Sequence, residues 1–332
     1  MMGMDRNGVN QDGWRLNVVL VVALAAMMIL SLAAGKVWVS PTAWLGDDLS
    51  ALIIMELRLP RTVLGAAIGA ALGMAGATMQ GYLRNPLADP GVFGVSASSA
   101  LGAVTSLYFG FAVSAWLLPA FALAGAGIGM GLLALLAGRS GSLILFTLAG
   151  VILSSLAGSL TSLMISLAPT PFATTEIVTW LMGALTDRSW DDVILAVPII
   201  AVGMAFLFAT GRSLDALTLG EDAARSMGVN VLRLQWFAVL GVGLTVGASV
   251  AAAGIIGFVG LIVPHLVRPF AGHRPSAVLL PSALAGALLV VGADSAVRIL
   301  PSVSELRLGI AMSLLGAPFF MALLFKMHRE LS

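Results

Sequence analysis

The chain has 332 residues, 59% of them hydrophobic and 10% charged, with a formal net charge of +1. A soluble domain carries about a quarter of its residues charged, so water is not the main solvent of this chain and a large water-soluble domain is excluded. There is no cysteine, which excludes disulfides and thiolate metal sites.

Apolar stretches of about 20 residues, enough to cross a hydrocarbon core of roughly 30 Å at about 1.5 Å per residue, recur along the chain. They predict an all-α polytopic protein, one transmembrane domain over 1–332 in contact with membrane lipid. Ten spans are expected, at about 16–35, 62–81, 92–110, 114–137, 143–167, 192–210, 232–254, 256–270, 276–297 and 306–327. The first is read as a retained span, because no cleavage site flanks it. With both termini cytoplasmic, most basic residues fall inside, leaving Lys36, Arg58, Arg61, Arg188, Arg298 and Arg307 outside. Trp38, Trp44, Trp116, Trp180 and Trp190 then form an outer belt, and Trp14 and Trp236 an inner one.

Before the second span, Arg58 and Arg61 bracket Pro60, and Arg298 follows the ninth; all three lie on the side that should be poor in positive charge. Snorkelling would account for the first two, and an i,i+4 pair with Asp294 for the third. Within the second span Gly65, Gly69 and Gly73 repeat every four residues, as Gly243 and Gly247 do later. Such stripes let helix backbones approach closely, or else line a path or allow sliding. The connection "YLRNPLADPGVFG" (82–94) then breaks the chain. Asn85-Pro86 and Asp89-Pro90 force extended backbone before each proline, stopping one span and starting the next across a rigid non-helical link. Taken alone it is a turn that Arg84 tethers to lipid phosphates. The link "GRSGS" (138–142) suits any helical hairpin. After the fifth span, 174–192 predicts a short surface helix carrying Glu176, Trp180 and Leu181.

The longest cytoplasmic loop, 211–231, holds Thr218 and Glu221 at capping-box spacing, with Gly228 placed to end the helix they begin. A surface helix of about nine residues is expected, after a shorter piece near Ser213–Leu217. It either anchors the loop in the interface or offers a rigid grip to a soluble partner. Further on, "AAAGIIGFVG" (251–260) precedes a segment short for a full crossing and predicts a broken or half-length helix. Spans two to five begin outside and seven to ten inside, and the proline and glycine breaks fall at corresponding positions, as in inverted repeats.

Four stretches, "ELRLPRTVLGAAIGAALGMAGATMQGYLRNPLADPGVFGVSASSALGAV" (56–104), "LGEDAARSMGV" (219–229), "GIIGFVGLIVPHLVRPFAGHR" (254–274) and "LRLGIAMSLLGAPFFMALL" (306–324), resemble the permease subunit of type II ABC importers of the iron-siderophore, haem and cobalamin uptake family. The resemblance implies an inverted-repeat homodimer in the bacterial inner membrane with a path on its axis. It also implies two cytoplasmic ATPase subunits and an external, periplasmic or lipid-anchored binding protein. By the same resemblance Leu219, Glu221, Asp222, Ala223, Ala224, Arg225, Met227 and Gly228 form the ATPase handle. Asn85 and Leu87, with Ser140 and Ser142, form the cytoplasmic gate; Arg58, Arg61 and Arg298 meet acidic groups of the binding protein; and 174–192 helps close the outer mouth. The chain has no G-x-x-x-x-G-K-[ST] and so no P-loop; if transport is driven by ATP, as the resemblance implies, the motor is another polypeptide.

An intramembrane enzyme would need a nucleophile and base or a metal cluster, but His265, His273 and His328 sit at no ligand spacing with each other or with a carboxylate. No catalytic residue, metal, cofactor or nucleic-acid partner is expected. An ion-coupled secondary transporter is the rival; it would place a carboxylate near mid-membrane, and only Asp294, towards the outer end of span nine, is a candidate. A path lined by Met, Ser, Thr and Gly would pass a bulky amphipathic chelate without gripping it, most simply a ferric siderophore, with haem and cobalamin as alternatives.

Overall fold

A computed structural model describes residues 6–40, 44, 49–111, 116–137, 143–301 and 305–331, all helix, turn or loop. In chain order the helices are α1 (Arg6–Ala33), α2 (Leu49–Leu52), α3 (Leu59–Tyr82), α4 (Val95–Tyr108), α5 (Leu117–Ala137), α6 (Leu143–Ser166) and α7 (Pro171–Leu181). Then come α8 (Trp190–Ala209), α9 (Gly211–Leu217), α10 (Glu221–Ser226), α11 (Val231–Ala253), α12 (Val259–Ala271), α13 (Pro275–Ile299) and α14 (Leu308–Leu331). Eight helical stretches among the described residues are long and apolar enough to cross a membrane. The other two expected segments, 92–110 and 256–270, form the shorter helices α4 and α12, of 14 and 13 residues.

Packing follows the distribution of small residues. α3 and α11 are buried along most of their length, whereas α1 is exposed along most of its own. A Cβ added at Gly69 would strike the Gly286 carbonyl of α13, one at Gly73 the Ser282 carbonyl, and one at Gly76 the Gly260 backbone of α12. Backbones therefore touch directly, which lets dispersion hold helices together where lipid supplies no hydrophobic drive. Gly243 and Gly247 instead make room on α11 for side chains of α5, those of Met130 and Ala126.

The breaks have local causes. Pro60 removes an N–H from the continuous helix 49–82, and the turns before it, Ile53–Arg58, widen to π-helix. After α3 the chain turns at Arg84, in the left-handed region at φ 50°, and the Asn85 side chain accepts a hydrogen bond from Leu87 N at 2.9 Å. Asp89 is extended (φ −117°, ψ 135°) and its carboxylate accepts from Gly91 N, capping the 3-10 turn Pro90–Phe93 that leads into α4. The glycine-rich break is the non-helical segment 254–258, with Phe258 left-handed at φ 67°. The two breaks meet in space: Pro90 packs against Gly260 beside a cavity of about 240 Å³ lined by Asp89, Ser96, Ser154 and Ile256.

α3 and α13 run antiparallel. One end of the bundle carries Tyr82, α9, α10 and the start of α13; the other carries Arg58, Arg61, Asp294 and Arg298. These are called the loop end and the arginine end below.

Candidate functional site

At the loop end, α8 runs almost without pause into α9, and Gly220, at φ 104°, turns the chain into α10. The expected capping box is not formed. Thr218 Oγ1 donates to the Asp215 carbonyl at 2.7 Å, the N-cap is Gly220, and Glu221 accepts from Arg225 Nη2 at 2.6 Å. The left-handed glycine intervenes between Thr218 and the helix start, so α10 spans 6 residues in place of about nine. Its C-terminus closes as a Schellman motif: Gly228 (φ 83°) donates to Arg225 O and Val229 N to Ala224 O at 3.0 Å. Ala224 is fully buried in the same core as Leu214 and Leu217, which fixes the element to the bundle. Outward it presents Leu219 and Met227, 67% and 63% exposed, beside the polar Asp222 and Arg225 and the half-buried Ala223. Two large apolar side chains are thus left uncovered on a braced turn.

At the arginine end, the three arginines do not form a bare positive surface. Arg58, Arg61 and Arg298 are buried and turned into the chain. Arg58 Nη1 donates to the carbonyls of Leu32 and Ala33, both at 2.8 Å, and Nη2 to Val37 O at 2.6 Å, capping the carbonyl end of α1. Arg61 grips Asp294 through Nε and Nη2 (2.8–3.1 Å), and Nη2 also reaches Glu305 Oε2 at 2.9 Å. Arg298 pairs with Asp294 at i,i+4 (3.3 Å) and donates through Nη2 to Ser31 Oγ, while its buried Nη1 has no hydrogen-bond partner among the described residues. Burial pushes the Glu305 carboxyl up, but hydrogen bonds from Arg61 and Thr186 outweigh it and hold the group below its ordinary range.

Of the gate residues, Asn85 is exposed and Leu87 half-buried in the turn after α3, whereas Ser140 and Ser142 lie outside the described residues. The surface helix expected in 174–192 is α7, whose Glu176 and Trp180 line a cavity of about 400 Å³ with Arg188 and Arg307. Among the described residues no His, Asp or Glu cluster is arranged to hold a metal ion.

Three partnerships were not foreseen. Glu305 joins Arg61. Gln80, buried in α3, donates to the carbonyls of Gly260 and Leu261 and accepts from Arg268 at 2.8 Å. Asp215 of α9 receives two bonds from Ser276 at the start of α13. The signal for the last was slight: Arg274-Pro275-Ser276 offers no capping residue before the proline, which leaves the start of α13 open to a cap from another element.

This geometry can be set beside known proteins. Residues 22–326 match the FecCD transport family. The chain belongs to that family. It is 37% identical over 324 residues to the vitamin B12 import system permease protein BtuC of Vibrio cholerae, covering 96% of both chains. It is likewise 37% identical to the Fe(3+) dicitrate transport system permease protein FecD of Escherichia coli K12, covering 94% of this chain and 99% of the relative. The solved inward-facing structure of a metal-chelate type ABC transporter superposes with a TM-score of 0.87 at 31% identity, over 94% of this chain and 99% of that one. The FecCD protein described here is thus a multi-pass ABC transporter permease, and its all-α bundle is the permease fold of that structure.

Proposed function

We propose that the chain is the membrane conduit of a binding-protein-dependent importer, working as a homodimer with two ATPase subunits on its loop end, the cytoplasmic side. The observation that carries this reading is the braced turn 219–228: Leu219 and Met227 stand in water on an element locked to the core, a shape suited to being gripped and moved. Leu219, Glu221, Asp222, Ala223, Ala224, Arg225, Met227 and Gly228 make up this handle.

The exposed side of α6 supports a path on the dimer axis. Ser155, Gly158, Ser159, Ser162 and Ser166 follow one another at helical spacing on exposed positions, a stripe of small residues of the kind through which membrane helices meet closely. Asn85 and Leu87, with Ser140 and Ser142, are the proposed cytoplasmic gate. The external binding protein docks over the arginine end, where the buried set of Arg61, Arg298, Asp294 and Glu305, with Arg58 on the α1 terminus, fixes the helix ends that the partner meets. Ion coupling through Asp294 has no support, because both its oxygens are engaged by guanidinium groups. The cargo is a bulky metal chelate, in the first instance a ferric siderophore; the relatives named for vitamin B12 and ferric dicitrate make corrinoid and iron chelates the classes to compare.

The test is uptake by vesicles containing the permease, its ATPase and its binding protein, offered iron-55-labelled ferric siderophore or cobalt-57-labelled cobalamin. Accumulation of one ligand that stops when ATP or the binding protein is omitted is expected. Full accumulation by the permease alone contradicts the proposal.

A further inference from the structure

α13 is held by a polar joint at each end. At the loop end, Asp215 Oδ1 accepts from Ser276 N at 2.9 Å and Oδ2 from Ser276 Oγ at 2.5 Å. The N-cap residue, Arg274, supplies no side-chain bond, and Pro275 has no N–H to satisfy, so a carboxylate from another element caps this helix and meets the positive end of its dipole. At the arginine end, Asp294 and Arg298 of the same helix join Arg61 and Glu305. The two joints lie 18 residues apart, about 27 Å along a helix. Between them the backbones of Gly286 and Ser282 lie directly on Gly69 and Gly73 of α3, a pair with no soft side chains to absorb displacement.

α9 also packs on this helix start: Gly211 lies against Ser276 and Leu279, and Gly81 of α3 against Pro275 and Leu214. Packing of this kind resists compression but resists separation weakly, because dispersion falls off steeply with distance. A carboxylate bonded to both an N–H and an O–H also resists being pulled away.

We infer that Asp215 is the positioning residue of the transport cycle: through Ser276 it transmits displacement of the 219–228 handle to α13, and α13 with α3 carries that displacement to the arginine end. This rests on the reading of 219–228 as the ATPase handle. Asp215 touches neither cargo nor nucleotide. Its part is to let the ATPase pull on the bundle as well as push.

The experiment uses the assembled permease, ATPase and binding protein in vesicles, reading ATPase co-purification, ATP hydrolysis and chelate uptake separately. Asp215→Ala is expected to retain bound ATPase and hydrolysis while uptake per ATP falls about tenfold or more, the loss of a charge-assisted bond pair. Asp215→Asn keeps an oxygen for Ser276 N and falls by less, about threefold. Because the chain has no cysteine, the pair Asp215→Cys and Ser276→Cys can be bridged by a short reducible bis-methanethiosulfonate. Bridging is expected to restore uptake per ATP, and reduction to abolish it again. Unchanged uptake per ATP in Asp215→Ala, or no recovery on bridging the cysteine pair, overturns the inference. Failure of the handle reading shows differently: Leu219→Ser with Met227→Ser would then leave ATPase co-purification intact.

Discussion

The loop end and the arginine end handle polarity in opposite ways. At the loop end, charge is spread over exposed short-range pairs such as Glu221–Arg225, and the apolar Leu219 and Met227 are left in water. At the arginine end, charged groups are taken out of water and matched: Arg61 and Arg298 against Asp294 and Glu305, with Arg58 on backbone carbonyls. Exposed pairs contribute little to stability, whereas removing one member of a buried set leaves an uncompensated charge. The contrast is between two apolar side chains left uncovered on a braced turn and a buried clamp that ties α3 and α13 to the segment before α14.

The largest expected effect lies in the clamp. Asp294→Ala removes the carboxylate of buried Arg298 and leaves Arg61 with Glu305 alone, and should destabilise the protein by about 3–5 kcal/mol, seen as loss of the monodisperse species in detergent and a much lower unfolding temperature. Next comes the spine that joins the two ends. Gly69→Val places a branched side chain on the Gly286 carbonyl and should cost about 1–3 kcal/mol, with α3 and α13 forced apart; thermal unfolding reads it. At the loop end the pattern inverts: Leu219→Ser with Met227→Ser should leave unfolding unchanged to within about 0.5 kcal/mol, as exposed sites do, while ATPase binding weakens. A fall in stability equal to that of the clamp variant would erase the distinction between the ends.

The smallest effect is a pH dependence. Glu305 is held below its ordinary value of 4.5, so its contribution to stability is fully present above that value and is lost as pH falls through the lower folded one. Unfolding temperature should therefore be flat with respect to this group at neutral pH and decline only in acid. Glu305→Gln should remove that part of the decline, worth less than about 1 kcal/mol for a partly exposed group.

The helices were legible because apolar length is set by the bilayer, and the breaks because proline and glycine act on their own backbone. The turn at 82–94 and the non-helical 254–258 illustrate this, though that they meet at Pro90 and Gly260 was not readable from either. The Thr218–Glu221 capping box failed for a local reason: the pattern assumes a helix start at Thr218, and Gly220 delays it. The arginine clamp was only half legible. Asp294–Arg298 follows from i,i+4 spacing, but Arg61 and Glu305 lie 244 residues apart, and nothing in a single sequence pairs them. Positive charge on the side that should lack it was a true signal, and its burial among carboxylates was the part only the packing of α3 on α13 could supply.

The most direct measurement of the central claim is the accessibility of residue 222 in the assembled transporter. Asp222→Cys would be the sole cysteine of the chain, to be labelled with a membrane-impermeant maleimide from either face of sealed vesicles. Labelling from the cytoplasmic face alone, blocked when the ATPase subunits are bound and recovered when they are stripped, is the predicted result. Labelling from the outer face, or labelling indifferent to the ATPase, would contradict the account.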